Sequence, residues 1–328
     1  MTRDQACASL RRFGKVVVWG LRSFRYKKNT YRYVHETFFH TLRKIGKPVA
    51  WVDDRPENQG VVSPGDLVLS SNVCGNNPWT EWLPRREGAY YCLHNFEHVK
   101  SPAMLALRAS LDPRQHLQLR IYNTATEVRD DVLGAEHWNP ITCFSRSSRT
   151  LYQVWGTDLL EDEFRAPSVI PTLPVVFWVG SIYGRPGDPG GNMSEITELK
   201  SVLKARGLRL VHVMFVPSRV NQGLVRLSRI APSISGRAQV DIGYLPCRLF
   251  KNISYGQLGI SNVARAKEFF GDAVVVGSDI SALVDQSLAL TGRERTAMLA
   301  EQQRIIANQT YAHKLANIAR SFDMLSVR

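Results

Sequence analysis

The stretch IGYLPCRLFKNISYGQLGISN, Ile242 to Asn262, carries the pattern on which the fold assignment depends. Pro246 is typical of the start of a helix, and Arg248 and Lys251 then share one face of its first turns. Amide donors, a favourable helix dipole and two cations in one place match what a nucleoside diphosphate needs. The alternative is an ordinary amphipathic helix whose cations are solvated and whose apolar residues pack into the core.

This stretch belongs to the second of two series of alternating strands and helices, which favours an α/β fold with parallel sheets. The first series has predicted strands at Lys15–Gly20, Pro48–Asp53, Asp66–Ser71, Ala89–His94 and Leu117–Tyr122. The second has predicted strands at Val175–Gly180, Arg209–Phe215, Ala238–Gly243 and Ala273–Gly277. The proline-rich segment 166–174 separates the series. It predicts a hinge between domains 1–165 and 175–328.

A glycine-rich loop opens the second series. The run VGSIYGRPGDPGGNMSEITELK, residues 179–200, reads as strand, loop and helix, with Gly191 and Asn192 at the helix start. Amide groups at such a position favour a phosphate. The glycine spacing is neither that of a dinucleotide-binding fingerprint nor that of a P-loop. The alternative is a long loop in which Asn192 or Ser194 caps the helix.

The second series resembles a known family in several of its motifs. Pro246, Arg248, Phe250 and Gly256 match a Pro-x-Arg-x-Phe-Glu helix that ends near a glycine. The runs AVVVGSD (273–279), ISALVDQSLAL (280–290) and QTYAHKLANI (309–318) follow it in the expected order. The run resembles the C-terminal half of GT-B glycosyltransferases, in particular the spore-maturation (CgeB-like) branch of family 1/4 glycosyltransferases. The resemblance covers roughly residues 175–325 and implies two Rossmann-like domains that face each other across a cleft.

The resemblance implies that the second domain binds a nucleoside-diphosphate sugar. The residues that the patterns and the resemblance assign to donor binding are Gly180, Ser181, Arg185, Gly191, Asn192, Tyr244, Arg248, Lys251 and Asn252. Lys251 departs from the family, which has a ribose-binding Glu at this position. No glutamate pair of the retaining type is present either, so the mechanism does not transfer with the fold.

The first domain is expected to hold the acceptor at its strand ends. CLHNFEHVK (92–100) offers His94 and Glu97 directly after a strand, and either is a candidate base for an inverting transfer. Asn72, Asn76 and Arg22 are the candidate acceptor-binding residues. The alternative for His94 is that it satisfies the backbone at a strand end.

Composition narrows the function classes further. No run of about 18 apolar residues suggests a transmembrane helix, and the N-terminus lacks the pattern of a signal peptide. Five widely spaced cysteines predict reduced thiols and a cytoplasmic protein. The net charge is +13, and the first 50 residues hold twelve lysines and arginines against two acidic residues. The segment 22–32 interleaves cations with aromatic residues, which suits a nucleic acid, an anionic membrane surface or a phosphorylated molecule.

Together these observations predict a glycosyltransferase that moves a sugar from a nucleoside-diphosphate sugar to an acceptor hydroxyl, such as one on a glycan. No metal and no cofactor are expected, because Arg248 and Lys251 supply positive charge and no Asp-x-Asp triplet occurs. The alternative is a nucleic-acid-directed protein, either a DNA-modifying glucosyltransferase or a plain nucleic-acid binder that uses the basic N-terminal segment. A third is a sugar-nucleotide-binding protein without catalysis.

Overall fold

The computed structural model describes residues 1–23, 30–72, 80–95, 102–120, 134–168, 173–188 and 190–326. The chain divides into two compact units. Unit 2 is built from Val154–Thr310, and unit 1 from the described residues before it together with Tyr311–Ser326. None of the described helices has the length and apolar character that crossing a lipid bilayer requires.

Unit 1 is a mixed sheet flanked by helices. Its strands are β1 Val16–Trp19, β2 Val49–Val52, β3 Leu67–Asn72, β4 Tyr90–Asn95, β5 His116–Arg120, β6 Glu136–Asn139, β7 Thr142–Ser145 and β8 Thr150–Gln153. Its helices are α1 Arg3–Ser9, α2 Thr30–Lys44 and α3 Pro102–Ala109, with a 3₁₀ turn at Pro56–Val61. The strand order is β2-β1-β3-β4-β5-β8-β7-β6, in which only β7 runs antiparallel to β8 and β6 antiparallel to β7.

The central strands of this sheet are buried on both faces. All four residues of β1 are buried, as expected for a β-branched run in a parallel sheet. Val17, Trp19 and Tyr91 belong to one core cluster, which also includes Leu83 and Leu107 from the segments around the sheet. Because β1, β3 and β4 are parallel neighbours, their carboxyl ends lie along one edge.

The described residues of unit 2 form five strands, arranged as one parallel pair and one parallel sheet of three. They are β9 Val175–Val179, β10 Arg209–Val213, β11 Pro232–Ser233, β12 Ile260–Ser261 and β13 Val275–Val276. Its helices are α4 Met193–Ala205, α5 Ser218–Leu227, α6 Arg237–Asp241, α7 Cys247–Ser254, α8 Arg265–Phe270, α9 Ile280–Ala289 and α10 Gly292–Ile306. The last helix of the chain, α11 Tyr311–Ser326, belongs to unit 1.

The strand order of unit 2 reverses beside β9. One side of β9 pairs with β10, while β11, β12 and β13 pair with one another. The segment leading to β11 lies along the other side of β9, because Arg229 N donates to Val175 O at 2.8 Å and Phe177 N to Ser228 Oγ at 2.9 Å. The carboxyl ends of β9 and β11 therefore flank the position where the order reverses, which is where open α/β sheets bind ligands.

One predicted strand of unit 2 is wrong. Ala238–Gly243 falls on helix α6 and on a turn in which Gly243 has a φ of +67°. The strand of this region is β11, which is only two residues long and begins with Pro232, so it has no alternating pattern. The neighbouring loop is held by Asn262, whose side chain accepts from Ser235 N and donates to Ser235 O. Tertiary contacts, rather than local pattern, define this strand.

The antiparallel strands β6, β7 and β8 have no counterpart in the sequence-based prediction. They are four residues each, and β7 and β8 are fully buried although both contain polar residues. The predicted domain division at 166–174 was drawn from the proline pattern. By packing, unit 1 extends to Gln153 and also includes α11. The domain bounds and the hinge at 166–174 stay a prediction.

A substitution at Gly156 tests the packing of unit 2. A Cβ atom at this position would lie 2.0 Å from Gln309 O, because residues 309–310 lie against the Gly156–Thr157 backbone. We expect Gly156→Ala to lower the free energy of unfolding by about 1–3 kcal/mol, since a backbone shift is required. The matched control is Gly223→Ala, in the middle of α5 with open space around it. The control should gain about 0.5–1 kcal/mol in denaturant unfolding, and an equal response of both variants would contradict this packing.

Candidate functional site

Arg248 lies at the carboxyl end of β9 and stacks on an aromatic ring. Its guanidinium carbon is 3.5 Å from the ring centroid of Trp178, which is the penultimate residue of that strand and lies two residues before Gly180. A Cβ atom at Gly180 would be 2.6 Å from Arg248 Nη2, so the guanidinium occupies the space that a side chain would take. Gly180 also has a φ of +133°, and its carbonyl contacts His212 Nε2 at 2.8 Å. A cation over an indole face is favourable, most of all when it is partly desolvated.

Among the described residues, no acidic side chain balances the positive charge of Arg248. Within the described residues, no hydrogen bond or ion pair engages its guanidinium, which is half-buried. Burial lowers the pKa of Arg248 to about 10, against smaller opposing effects of Cys247 and Tyr244. The indole N–H of the buried Trp178 has no hydrogen-bond partner either. Five guanidinium donors at this position are suited to an oxyanion.

The glycine-rich loop beside Arg248 is held by hydrogen bonds to itself. The Asn192 side chain accepts from Tyr183 N at 2.9 Å and donates to Ser181 O at 3.3 Å. Gly190 N donates to Asp188 Oδ1, Gly191 N to Asp188 O and Asn192 N to Tyr183 O. These amides are therefore not available to a phosphate in this structure. Asn192 does not cap α4 through its side chain; it fixes the loop instead.

A second loop packs against the glycine-rich loop. A Cβ atom at Gly236 would lie 1.8 Å from Gly191 O, so the two backbones touch. The phenol of Tyr183 lies near the Gln239 side chain, and Tyr183 and Arg248 both lie near Tyr244. Burial raises the pKa of Tyr244, so its hydroxyl remains protonated at neutral pH. The two loops thus place two phenols and one unbalanced guanidinium together.

Lys251 has a different environment from Arg248. Its ammonium lies 3.7 Å from Asp158 Oδ2, and both side chains are largely buried. Ser218 Oγ and Tyr255 Oη each donate to the Asp158 carboxylate at 2.6 Å. Burial is the largest single effect and disfavours the charged form of Lys251, but Asp158, Tyr255 and Cys247 together outweigh it, so the pKa of Lys251 lies above its ordinary value. Burial likewise opposes ionisation of Asp158, and Lys251 with the two hydroxyls holds its pKa below the ordinary value.

The remaining donor-binding candidates differ in their surroundings. Asn252 is buried and donates to Ala231 O at 2.6 Å, which ties α7 to the segment before β11. Arg185 is exposed on the glycine-rich loop, and Ser181 is half-buried at its start. Gly180, Ser181, Gly191, Tyr244 and Arg248 are thus brought to one end of unit 2. Their assignment to donor binding stays a prediction.

The candidates of unit 1 lie along the carboxyl edge of its sheet. Asn72 and His94 belong to the ends of β3 and β4, and exposed Arg22 follows β1. His94 is buried, and burial, together with the nearby His35, lowers the pKa of His94 to about 3. Such a low pKa makes His94 a weak proton acceptor. Glu97 and Asn76 lie outside the described residues. No cluster of metal-binding side chains occurs within the described part of the chain.

Sequence reasoning missed the residues that act through Arg248 and Lys251. Trp178 was identified only as part of a strand, and its bulky aromatic side chain two residues before Gly180 was the available signal. Asp158 lies far from Lys251 in sequence, in a segment without a recognisable pattern. Its role becomes visible only when α7 and the segment after β8 are packed together.

Comparisons with known proteins extend the description of the fold. No protein-family model matches the sequence, and no curated protein is similar to it in sequence. The structure is similar to the N-terminal domain of Candida albicans trehalose-6-phosphate phosphatase, with a TM-score of 0.51, 10% identity and coverage of 96% of this chain and 97% of that one. It is also similar to a trehalose-6-phosphate synthase studied with bisubstrate glycomimetics, with a TM-score of 0.48, 11% identity and coverage of 92% and 85%. A third similar structure is the E. coli protein bound to UDP-2-fluoro glucose, with a TM-score of 0.47, 10% identity and coverage of 83% of this chain and 76% of that one.

The likeness to the Candida albicans domain concerns the fold. The α/β fold class of the GT-B type, predicted from the sequence, is confirmed. The narrower resemblance to the spore-maturation branch stays a prediction.

The buried pair of Lys251 and Asp158 is open to a double-mutant test. We expect Lys251→Met to lower the free energy of unfolding by about 3–5 kcal/mol at pH 7, because it leaves a buried carboxylate unbalanced. Adding Asp158→Asn should recover a large part of that loss. Because the folded pKa of Asp158 is depressed, its stabilising contribution is present above the unfolded pKa and is lost as the pH falls through the folded value. Additive losses in urea unfolding would show that the two groups are not coupled.

Proposed function

We propose that this protein is a glycosyltransferase that takes its sugar from a nucleoside-diphosphate sugar. The single observation that carries the proposal is the unbalanced guanidinium of Arg248 at the carboxyl end of β9. A half-buried cation without a carboxylate costs free energy, and an anionic ligand beside it removes that cost. The position where the strand order reverses is the place at which α/β sheets of this kind bind nucleotides.

A diphosphate suits this position better than a single carboxylate. When a sugar leaves a nucleoside diphosphate, negative charge develops on the phosphate oxygens, and a fixed cation stabilises that charge in the transition state. Stacking on Trp178 fixes the plane of the guanidinium before the ligand arrives, so little reorganisation is needed. Tyr183 and Tyr244 offer hydroxyl donors and aromatic faces beside the same charge.

The two cations of α7 take separate roles in this proposal. Arg248 faces the ligand, whereas Lys251 is balanced by Asp158 and stabilises unit 2 internally. Lys251 therefore adds little charge for a phosphate, although its position in the sequence suggests a phosphate contact. The glycine-rich loop contributes shape, because the atoms around Gly180 and Gly191 leave no room for a side chain at either position.

We assign acceptor binding to the carboxyl edge of the unit 1 sheet. The depressed pKa of His94 favours a neutral hydrogen-bonding role over that of a base at neutral pH. Glu97 remains the second candidate base. The acceptor as a glycan hydroxyl, the cytoplasmic location and transfer without a metal remain parts of the proposal. The segment 22–32, on which a nucleic-acid-directed function depends, lies mostly outside the described residues, and that alternative stays a prediction.

Binding of nucleotides tests the proposal directly. We expect one or more of UDP, GDP, CDP and dTDP to stabilise the protein thermally and to bind in calorimetry. Arg248→Ala should weaken that binding at least about tenfold, because charge-assisted hydrogen bonds to phosphate are lost. Arg248→Lys should have an affinity between those of the unchanged protein and Arg248→Ala, because it keeps the charge but loses the planar guanidinium and the stack on Trp178.

The matched control is Arg293→Ala, which removes an exposed arginine from α10 of the same unit. The control should bind nucleotides as the unchanged protein does. If no nucleotide binds the unchanged protein, the proposed function is wrong. If Arg248→Ala binds as tightly as the control, the site is misplaced.

A further inference from the structure

Unit 1 contains an open cavity of about 390 Å³ that the proposed donor site does not use. It lies between the 3₁₀ turn Pro56–Val61, the segment before β4 and helix α3. Its lining includes Gln59, Thr80, Glu81, Arg85, Arg86 and Leu107. Cavities of roughly 300–1,000 Å³ are the size that small ligands occupy in proteins. This one has room for a monosaccharide or a disaccharide.

One wall of the cavity is held in place by the half-buried carboxylate of Asp54. Its oxygens accept hydrogen bonds from Glu81 N and Trp82 N, both at 3.0 Å, and from Trp19 Nε1 at 2.7 Å. Trp19 is a fully buried residue of β1, so these bonds tie the wall to the sheet. On the other wall, the Asn58 side chain donates to Asp53 O at 2.9 Å.

The arginine-bearing wall is fixed through the hydroxyl of Tyr91. This hydroxyl accepts from Arg86 N at 2.7 Å and donates to Pro84 O at 2.6 Å. Tyr91 belongs to β4 and is buried, and Leu83 next to the wall belongs to the same core cluster. The backbone that carries Arg85 and Arg86 is therefore pre-organised, which reduces the ordering cost of binding.

The chemistry of the lining selects an anionic, hydroxylated ligand. Arg85 and Arg86 are exposed, and no ion pair engages either guanidinium within the described residues. The lining residues include two arginines but only one carboxylate, that of Glu81, so the cavity has an excess of positive charge. Gln59, Thr80 and Glu81 offer donors and acceptors for hydroxyl groups, and Leu83 and Leu107 supply an apolar floor. Guanidinium groups bind phosphate and carboxylate in a bidentate manner.

We infer that this cavity binds a sugar that bears a phosphate or a carboxylate. The wall at Glu81 and Trp82 is bonded to Asp54, which follows the carboxyl end of β2, so this part of the cavity lies near the sheet edge to which acceptor binding is assigned. The inference rests on the proposed function only where it identifies this sugar as the acceptor. Binding of the sugar to unit 1 is independent of donor chemistry.

The test is direct calorimetric binding to the full chain at physiological ionic strength. The probes are a hexose monophosphate and a hexuronate, with the uncharged hexose as reference. We expect at least one anionic sugar to bind, and to bind at least about tenfold more tightly than the uncharged hexose. The double variant Arg85→Ala/Arg86→Ala should lose that preference.

The control double variant is Arg11→Ala/Arg146→Ala, which removes two exposed arginines from unit 1 away from the cavity. It should retain the preference, which excludes a general effect of net charge. Arg248→Ala should also retain it, so failure of the donor proposal leaves this result unaffected. The inference is overturned if neither anionic sugar binds, or if the Arg85→Ala/Arg86→Ala variant binds as the control does.

Discussion

Burying a positive charge away from water costs free energy unless an anion lies beside it. Helix α7 carries two cations three residues apart, and their surroundings differ. Lys251 is paired with Asp158 and receives further support from the hydroxyls around that carboxylate. Arg248 has an aromatic face beneath it and a glycine beside it, but no acid within the described residues. The Trp178 ring and the space at Gly180 hold that charge in place.

Close backbone contacts keep the surroundings of Arg248 rigid. Gly191 touches both Gly184 and Gly236, and a side chain at any of the three would collide with backbone atoms. Asn192 closes the loop by bonding to Ser181 and Tyr183. We propose that this site binds its ligand through shape and one fixed charge rather than through free amide groups. This differs from a phosphate-binding loop, whose amides point at the ligand.

Much of the architecture was predictable because local pattern and tertiary environment agree. The β-branched runs of β1 and β9 indicate buried parallel strands, and helix α4 begins at Met193 as predicted. Strand β11 was not predictable, because two residues with a proline carry no periodic signal. Arg248 was identified from its place after Pro246. Its stacking partner Trp178, and the Asp158 carboxylate that pairs with Lys251, are distant in sequence and come close only on folding.

The most direct test of the central claim is a crystal structure of the protein with a bound nucleoside diphosphate. The account predicts phosphate oxygens within hydrogen-bonding distance of the Arg248 guanidinium, about 2.7–2.9 Å for a charged pair, with the guanidinium still stacked on Trp178 and Lys251 still paired with Asp158. A diphosphate bound at another position, with Arg248 making no contact to it, would contradict the account.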